Sequence, residues 1–155
     1  MHTLLVLLVL AAVFNGTLAG ASLDTSLVKL PARRRIGARA YAVFARGADL
    51  GNGRWVYAAW AVSAAGLVFA ATVVGLVHHA ATVPALALVG ASAASLTHFG
   101  ATSRAAPLML GIRRAADDEA GLAARLDAFA RWHALRAAFQ ALAFLAVLAV
   151  LLLAR

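Results

Sequence analysis

Four apolar runs dominate this chain, and they decide what it can become. They cover residues 4–28, 55–77, 81–101 and 132–154. Each is about 20 residues long, enough to cross the hydrocarbon core of a bilayer as a helix. None alternates as a barrel strand does, so helices are the expected spanning form. Composition agrees: the chain is 64% hydrophobic and only 13% charged, with mean hydropathy +0.87. We therefore expect an all-α integral membrane four-helix bundle, one domain over residues 1–155, multi-pass in the cell membrane, with the lipid bilayer as its main partner.

The net charge of +8 does not point to nucleic acid. The basic residues lie between the apolar runs, where they encode topology. Lys29, Arg33, Arg34, Arg35, Arg39, Arg46 and Arg54 follow the first run, and Arg104, Arg113, Arg114, Arg125 and Arg131 separate the third from the fourth. The short connection around His78, His79 and Pro84 has no Lys or Arg. By the positive-inside rule the two long basic loops are cytoplasmic and both termini are outside. A secretory signal is the alternative for the first run, with Thr17-Leu18-Ala19 as its cleavage site. No Lys or Arg precedes that run, so we read it as an uncleaved span.

Several segments carry more detail. Trp55, Tyr57 and Trp60 suit an aromatic belt at the inner end of the second span. Ile36, Tyr41, Phe44 and Leu50, set among arginines, suit a helix lying on anionic headgroups. From Asp117 onward, three acids open a run whose apolar residues recur at helical spacing, and Asp127 stands four before Arg131. One long helix from about Asp117 through the fourth span is expected.

The candidate site is a polar stripe at the start of the fourth span. Trp132, His133, Arg136 and Gln140 recur at spacings of one, three and four, where the helix should already be entering lipid. An arginine there costs roughly 2.5 kcal/mol or more on insertion scales, so it needs a partner, water or a route to the headgroups. By the topology above, Asp24, Ser95 and His98 lie at similar depth, and Asp24 with Arg136 is the natural charge pair. Gly16 and Gly20 form a GxxxG that admits a close helix approach. Asn15 and Thr17 can bond across helices or line a pocket. A structural ion pair that fixes packing is the alternative to a functional pocket.

Cysteine is absent, which excludes disulfides, thiolate-held Fe–S clusters and cysteine-bound zinc. No GxSxG, P-loop, HExxH or dinucleotide fingerprint occurs. No metal site and no cofactor is expected. The alternative is haem held between His98 and His133, since the outer histidines lie roughly 24 Å away along the span.

The segment NGTLAGASLDTSLVKLPA resembles the Gly-rich opening helix, ending at a proline, of the anthrone oxygenase family of small four-helix membrane proteins. The closing FARWHALRAAFQALAFLAVLAVL resembles that family's last helix, with Trp132 and Arg136 as the matching pair. Gly20 and Pro31 also match. The resemblance implies a four-helix membrane fold. It also implies, for some members, oxidation of polyketide anthrones to anthraquinones by O₂ without a recognised metal or flavin. It carries over no demonstrated catalytic residue.

Two functional readings follow. In one, the chain is a cofactor-independent oxygenase or related oxidoreductase acting on an apolar phenolic small molecule. Arg136 stabilises a phenolate or carbanion, and His133 or His98 takes the proton. Trp132, Gln140, Asp24 and Asn15 line a pocket between spans one, three and four. In the other, the chain is a non-catalytic assembly or transport-related subunit with a sealed Asp24–Arg136 pair.

Overall fold

The computed structural model describes residues 2–78, 81–115 and 118–153. Those residues contain helices and no strand. Four helical stretches are long and apolar enough to cross a membrane: His2–Ile36, Ala38–Val77, Thr82–Gly111 and Glu119–Leu153. His79, Asp117 and Ala154, named above at span and helix ends, lie outside the described residues.

The first stretch is α1 (His2–Asp24), a π-turn at Thr25–Lys29, and α2 (Leu30–Ile36). The second is α3 (Ala38–Gly47), a π-turn at Ala48–Gly53 and α4 (Arg54–Val77). Backbone angles leave the helical region at Gly51, so α3 and α4 meet at a kink. α5 (Thr82–Gly111) and α6 (Glu119–Leu153) complete the bundle. The 35 residues of α6 measure ~52 Å at 1.5 Å per residue, against a hydrocarbon thickness of ~30 Å. The helices thus run well beyond the apolar segments at the end that carries the arginines. The first continues to Ile36 rather than stopping near 28, and α5 continues to Gly111 rather than 101.

Two separate dry cores result. At the arginine-poor end, Leu8, Ala11, Val68, Ala71, Leu88, Ala91, Val147 and Val150 pack from all four spanning helices. Ala11, Ala71 and Ala91, on α1, α4 and α5, let the backbones come close, as expected where van der Waals fit rather than water exclusion draws helices together. Gly16 belongs to this logic: a Cβ there would stand 2.9 Å from Phe144 Cε2. Gly20 meets nothing within 4 Å, so only the first glycine of the GxxxG makes a close approach. At the basic end, Leu30, Tyr41, Ala42, Leu50, Met109, Ile112, Leu122, Leu126 and Phe129 form the second core. This corrects the expectation that Tyr41 and Leu50 face headgroups. They pack inward because the extensions of α5 and α6 offer them an apolar wall, while Ile36 and Phe44 stay exposed.

Polar contacts lock the second core. Arg33 donates to the Leu126 carbonyl at 2.9 Å and pairs with Asp127. Asp127 therefore reaches across to α2 rather than along its own helix to Arg131. Arg46 donates from Nε to the Ile112 carbonyl at 3.1 Å and from Nη2 to the Ala115 carbonyl at 3.2 Å, covering the end of α5. The Glu119 carboxylate accepts from the backbone N–H of Ala38 and, at 3.0 Å, of Arg39. It thus caps the start of α3, where unpaired N–H groups and the helix dipole favour an anion. The turn before that cap needs φ = +87° at Gly37, a conformation that disfavours a side chain.

Glu119→Ala should therefore cost about 1–2 kcal/mol, because two N–H groups lose their acceptor. A thermal-unfolding series in detergent checks this, and an unshifted midpoint would remove the cap from the account.

Candidate functional site

Between the two cores lies a layer in which the buried residues turn polar. Asn15, Ser22, Thr25, Ser95, His98, His133 and Gln140 are all buried there. The helices open around part of this layer into a cavity of about 350 Å³. That volume falls within the range of small-molecule sites, roughly 300–1,000 Å³. α1 and its π-turn supply Leu18, Ser22 and Thr25. The kink before α4 supplies Asp49 and Leu50, and α4 supplies Arg54, Tyr57 and Val62. α5 contributes His98, Phe99 and Thr102, and α6 contributes Phe129, His133, Arg136 and Gln140.

The stripe read from the sequence divides at this point. His133, Arg136 and Gln140 line the cavity, with His98 facing them from α5. Trp132 does not line it and is 39% exposed. The reason is helical phase. Phe129, His133, Ala137 and Gln140 form the buried line of α6, Arg136 stands at its edge, and Trp132 lies one step further round.

Asp24 does not meet Arg136. It pairs with Lys29 at 2.9 Å, and its side chain is half-exposed. Lys29 follows within the same continuous helix, so the pair forms locally and Asp24 never turns inward. The charge that interacts with Arg136 from within the cavity is Asp49. Asn15, expected in the pocket wall, does not line the cavity. It bonds the carbonyls of Ala11 at 2.9 Å and Ala64 at 3.4 Å, joining α1 to α4. With Ser95, His98 and Gln140 it also lines a second, small void of about 10 Å³.

Hydrogen bonding sets the chemistry of the two histidines. His133 Nε2 is 3.2 Å from the Ser22 carbonyl. A carbonyl only accepts, so Nε2 carries the proton and Nδ1 is left with its lone pair. That Nδ1 is buried with no hydrogen-bond partner. Gln140 Nε2 donates to His98 Nε2 at 2.7 Å, which places the proton of a neutral His98 on Nδ1. Asp49 Oδ2, Arg136 Nε and Gln140 Oε1 are also buried and unpartnered. Buried polar groups normally have partners, so such a concentration around one cavity marks unused binding capacity.

Haem fits this arrangement poorly. Both Nε2 atoms already hold hydrogen bonds inside the bundle, and ligating iron through them would break both. No group of three or more His, Asp or Glu placed to hold a metal ion occurs among the described residues.

Asp49, Tyr57 and Thr102 were not foreseen from the sequence. Asp49 had a usable signal, as the sole acid between Asp24 and Asp117, beside the glycines of DLGNG. Tyr57 read as belt, and Thr102 lies just past the expected end of the third span at residue 101.

Fold and site together define an all-helical protein with four potential membrane spans and a mainly apolar cavity furnished with a few polar groups. No protein-family model, curated protein or solved structure matches the chain.

Replacing Gln140 by Leu leaves His98 Nε2 without its donor and should destabilise the protein by about 1–3 kcal/mol. Trp132→Leu, on the outward face, should not. Paired melting curves of the two variants test which of these residues belongs to the site.

Proposed function

We propose that the protein binds a flat, apolar phenolic molecule in this cavity and oxidises it with O₂, as a cofactor-independent oxygenase of the anthrone-oxidising kind. The observation that carries the reading is the set of unpartnered polar atoms, His133 Nδ1 foremost, around an otherwise apolar cavity. An anthrone carries an acidic CH₂ between two rings, conjugated to a phenol or ketone oxygen. His133 Nδ1 takes one proton from that carbon as general base. Arg136 holds the negative charge that spreads onto the oxygen, in a site where little water competes. The carbanion adds to O₂ and gives a peroxide. The second C–H proton is then lost as the O–O bond breaks, leaving a ketone and hydroxide. The proton stored on His133 converts hydroxide to water. One CH₂ becomes one C=O, with one O₂ consumed and one water released.

Gln140 and His98 orient one another rather than the substrate, since their hydrogen bond joins α6 to α5. The alternative, a non-catalytic assembly or transport subunit, was tied to a sealed Asp24–Arg136 pair. Asp24 bonds Lys29 instead, which favours the ligand-binding reading.

With 1,8-dihydroxyanthrone as substrate, purified protein should consume O₂ and form the anthraquinone in equal amounts. Arg136→Leu should lower the rate by about 10²-fold or more while leaving the melting temperature close to wild type. His133→Phe should do the same through loss of the base, with Arg136→Lys retaining part of the activity. An Arg136→Leu protein that fails to accumulate, beside a fully active His133→Phe protein, would assign these residues to assembly instead.

In the cell membrane, the reading places the arginine-rich end in the cytoplasm and both termini outside. A single cysteine in place of the exposed Arg34 should then resist a membrane-impermeant maleimide until cells are permeabilised. Labelling in intact cells would invert the topology.

A further inference from the structure

The walls of the cavity are not equally closed. Its α1 and α6 residues, such as Leu18, Ser22, His133 and Gln140, are buried or nearly so. The exposed lining residues all lie on the opposite side. Arg54 and Ala58 are exposed on α4, Val62 is 65% exposed, and Leu110 on α5 is 47% exposed. Towards the arginine-poor end, α4 and α5 are held together. Thr72 Oγ1 donates to the Val68 carbonyl at 2.8 Å and can accept from Ser92 Oγ of α5 at 2.9 Å. Towards the basic end, small side chains on α4, Ala58 and Ala61, stand across the cavity from Phe99 and Ala106 of α5.

The chemistry along this opening is graded. Val62 lies ~22 Å from the Val77 end of α4, within a hydrocarbon layer of ~30 Å. Phe99 is at a similar depth, ~26 Å from the start of α5. Arg54 lies beyond them, stacked 4.9 Å over the Trp55 ring, where a headgroup layer is expected. Apolar lips at hydrocarbon depth would be a poor mouth for a route from water. They suit a route from lipid. Inside, Arg54 and Arg136 outnumber Asp49, so the lining carries a net positive charge.

We infer that the cavity fills sideways from the bilayer, through a slot between α4 and α5. Its ligand is a membrane-dissolved amphiphile whose acidic end is drawn towards Arg54 and Arg136 while its apolar body passes Val62 and Phe99. This rests on the ligand-binding reading above and adds the route and the polarity of the ligand. The polar end leads because Arg136, on the α6 wall, lies behind the hydrocarbon lips, while Arg54 stands at the headgroup end of the opening. Water entry past the Ala48–Gly53 kink is the competing route, and Asn52 is exposed there.

The absence of cysteine makes the route directly testable. Single variants Val62→Cys, Phe99→Cys, Asn52→Cys and Val73→Cys are reconstituted in phosphatidylcholine vesicles. Each is measured before and after capping with N-cyclohexylmaleimide. The probe is 1,8-dihydroxyanthrone, and the readout is the rate at which it quenches tryptophan fluorescence. Capping at either lip, Val62→Cys or Phe99→Cys, should slow association about tenfold or more, with Asn52→Cys and Val73→Cys unchanged. Action from both lips separates a blocked slot from a local disturbance of one helix. Unchanged rates after capping both lips would overturn the inference, as would slowing by the cap at Asn52→Cys instead. Should the uncapped proteins show no quenching at all, the ligand-binding reading itself falls, and the slot with it.

Discussion

Scarcity of negative charge organises this molecule. Six acidic residues face fourteen lysines and arginines, and each of the five among the described residues goes to a particular place. Asp24 is taken by Lys29, Asp127 by Arg33, and Glu119 by the backbone at the start of α3. Asp118 accepts from the Gly121 N–H at 2.7 Å, at the start of α6. Asp127, Glu119 and Asp118 hold helices to one another or finish their ends, while Asp24 pairs within its own helix. Asp49 is left, at the kink between α3 and α4, and it interacts with Arg136 within the cavity without closing a salt bridge. The guanidinium therefore stays available. Had Asp24 turned inward, the same arginine would be neutralised and the cavity would be a sealed polar plug.

The layered arrangement follows from what each depth permits. Near the arginine-poor end the helices are apolar outside as well as inside, which suits lipid, and there close side-chain fit has to hold them together. At the basic end the outer faces are charged, which suits water, and a water-excluding core can form among Leu122, Leu126, Tyr41 and Ile112. Between these two environments, neither device fills the space completely. Histidine, glutamine and asparagine side chains bridge the gap, and the residual volume is the cavity.

Much of this was legible in the sequence. Apolar runs of spanning length have one structural outcome in lipid, so four helices followed from composition and order alone. His133, Arg136, Gln140 and His98 could be grouped because their depth follows from counting along each span. Rotation about the helix axis was harder. Trp132 shares an i, i+4 relation with Arg136, yet the inward line of α6 passes through His133, and only neighbouring helices fix that line. Pairing of charges was hardest, because Asp24 had Lys29 within reach on its own helix and Asp127 had a distant arginine brought close by folding. Asp49 was missed because a kink at Gly51, rather than any periodic pattern, turns it into the cavity.

The clasp at the basic end also bears on biosynthesis. Glu119 and its partner Ala38 are 81 residues apart, and Asp127 and Arg33 are 94 apart. Neither contact can form until the start of α6 has been made, because one partner in each lies there. Until then, the start of α3 lacks its acceptor and Arg33 lacks its carboxylate. A chain released before its fourth helix would display that unfinished surface to the proteases that survey the membrane. The late arrival of α6 thus sets an order of assembly: groups of the first half stay uncovered until residues 119–127 have been made.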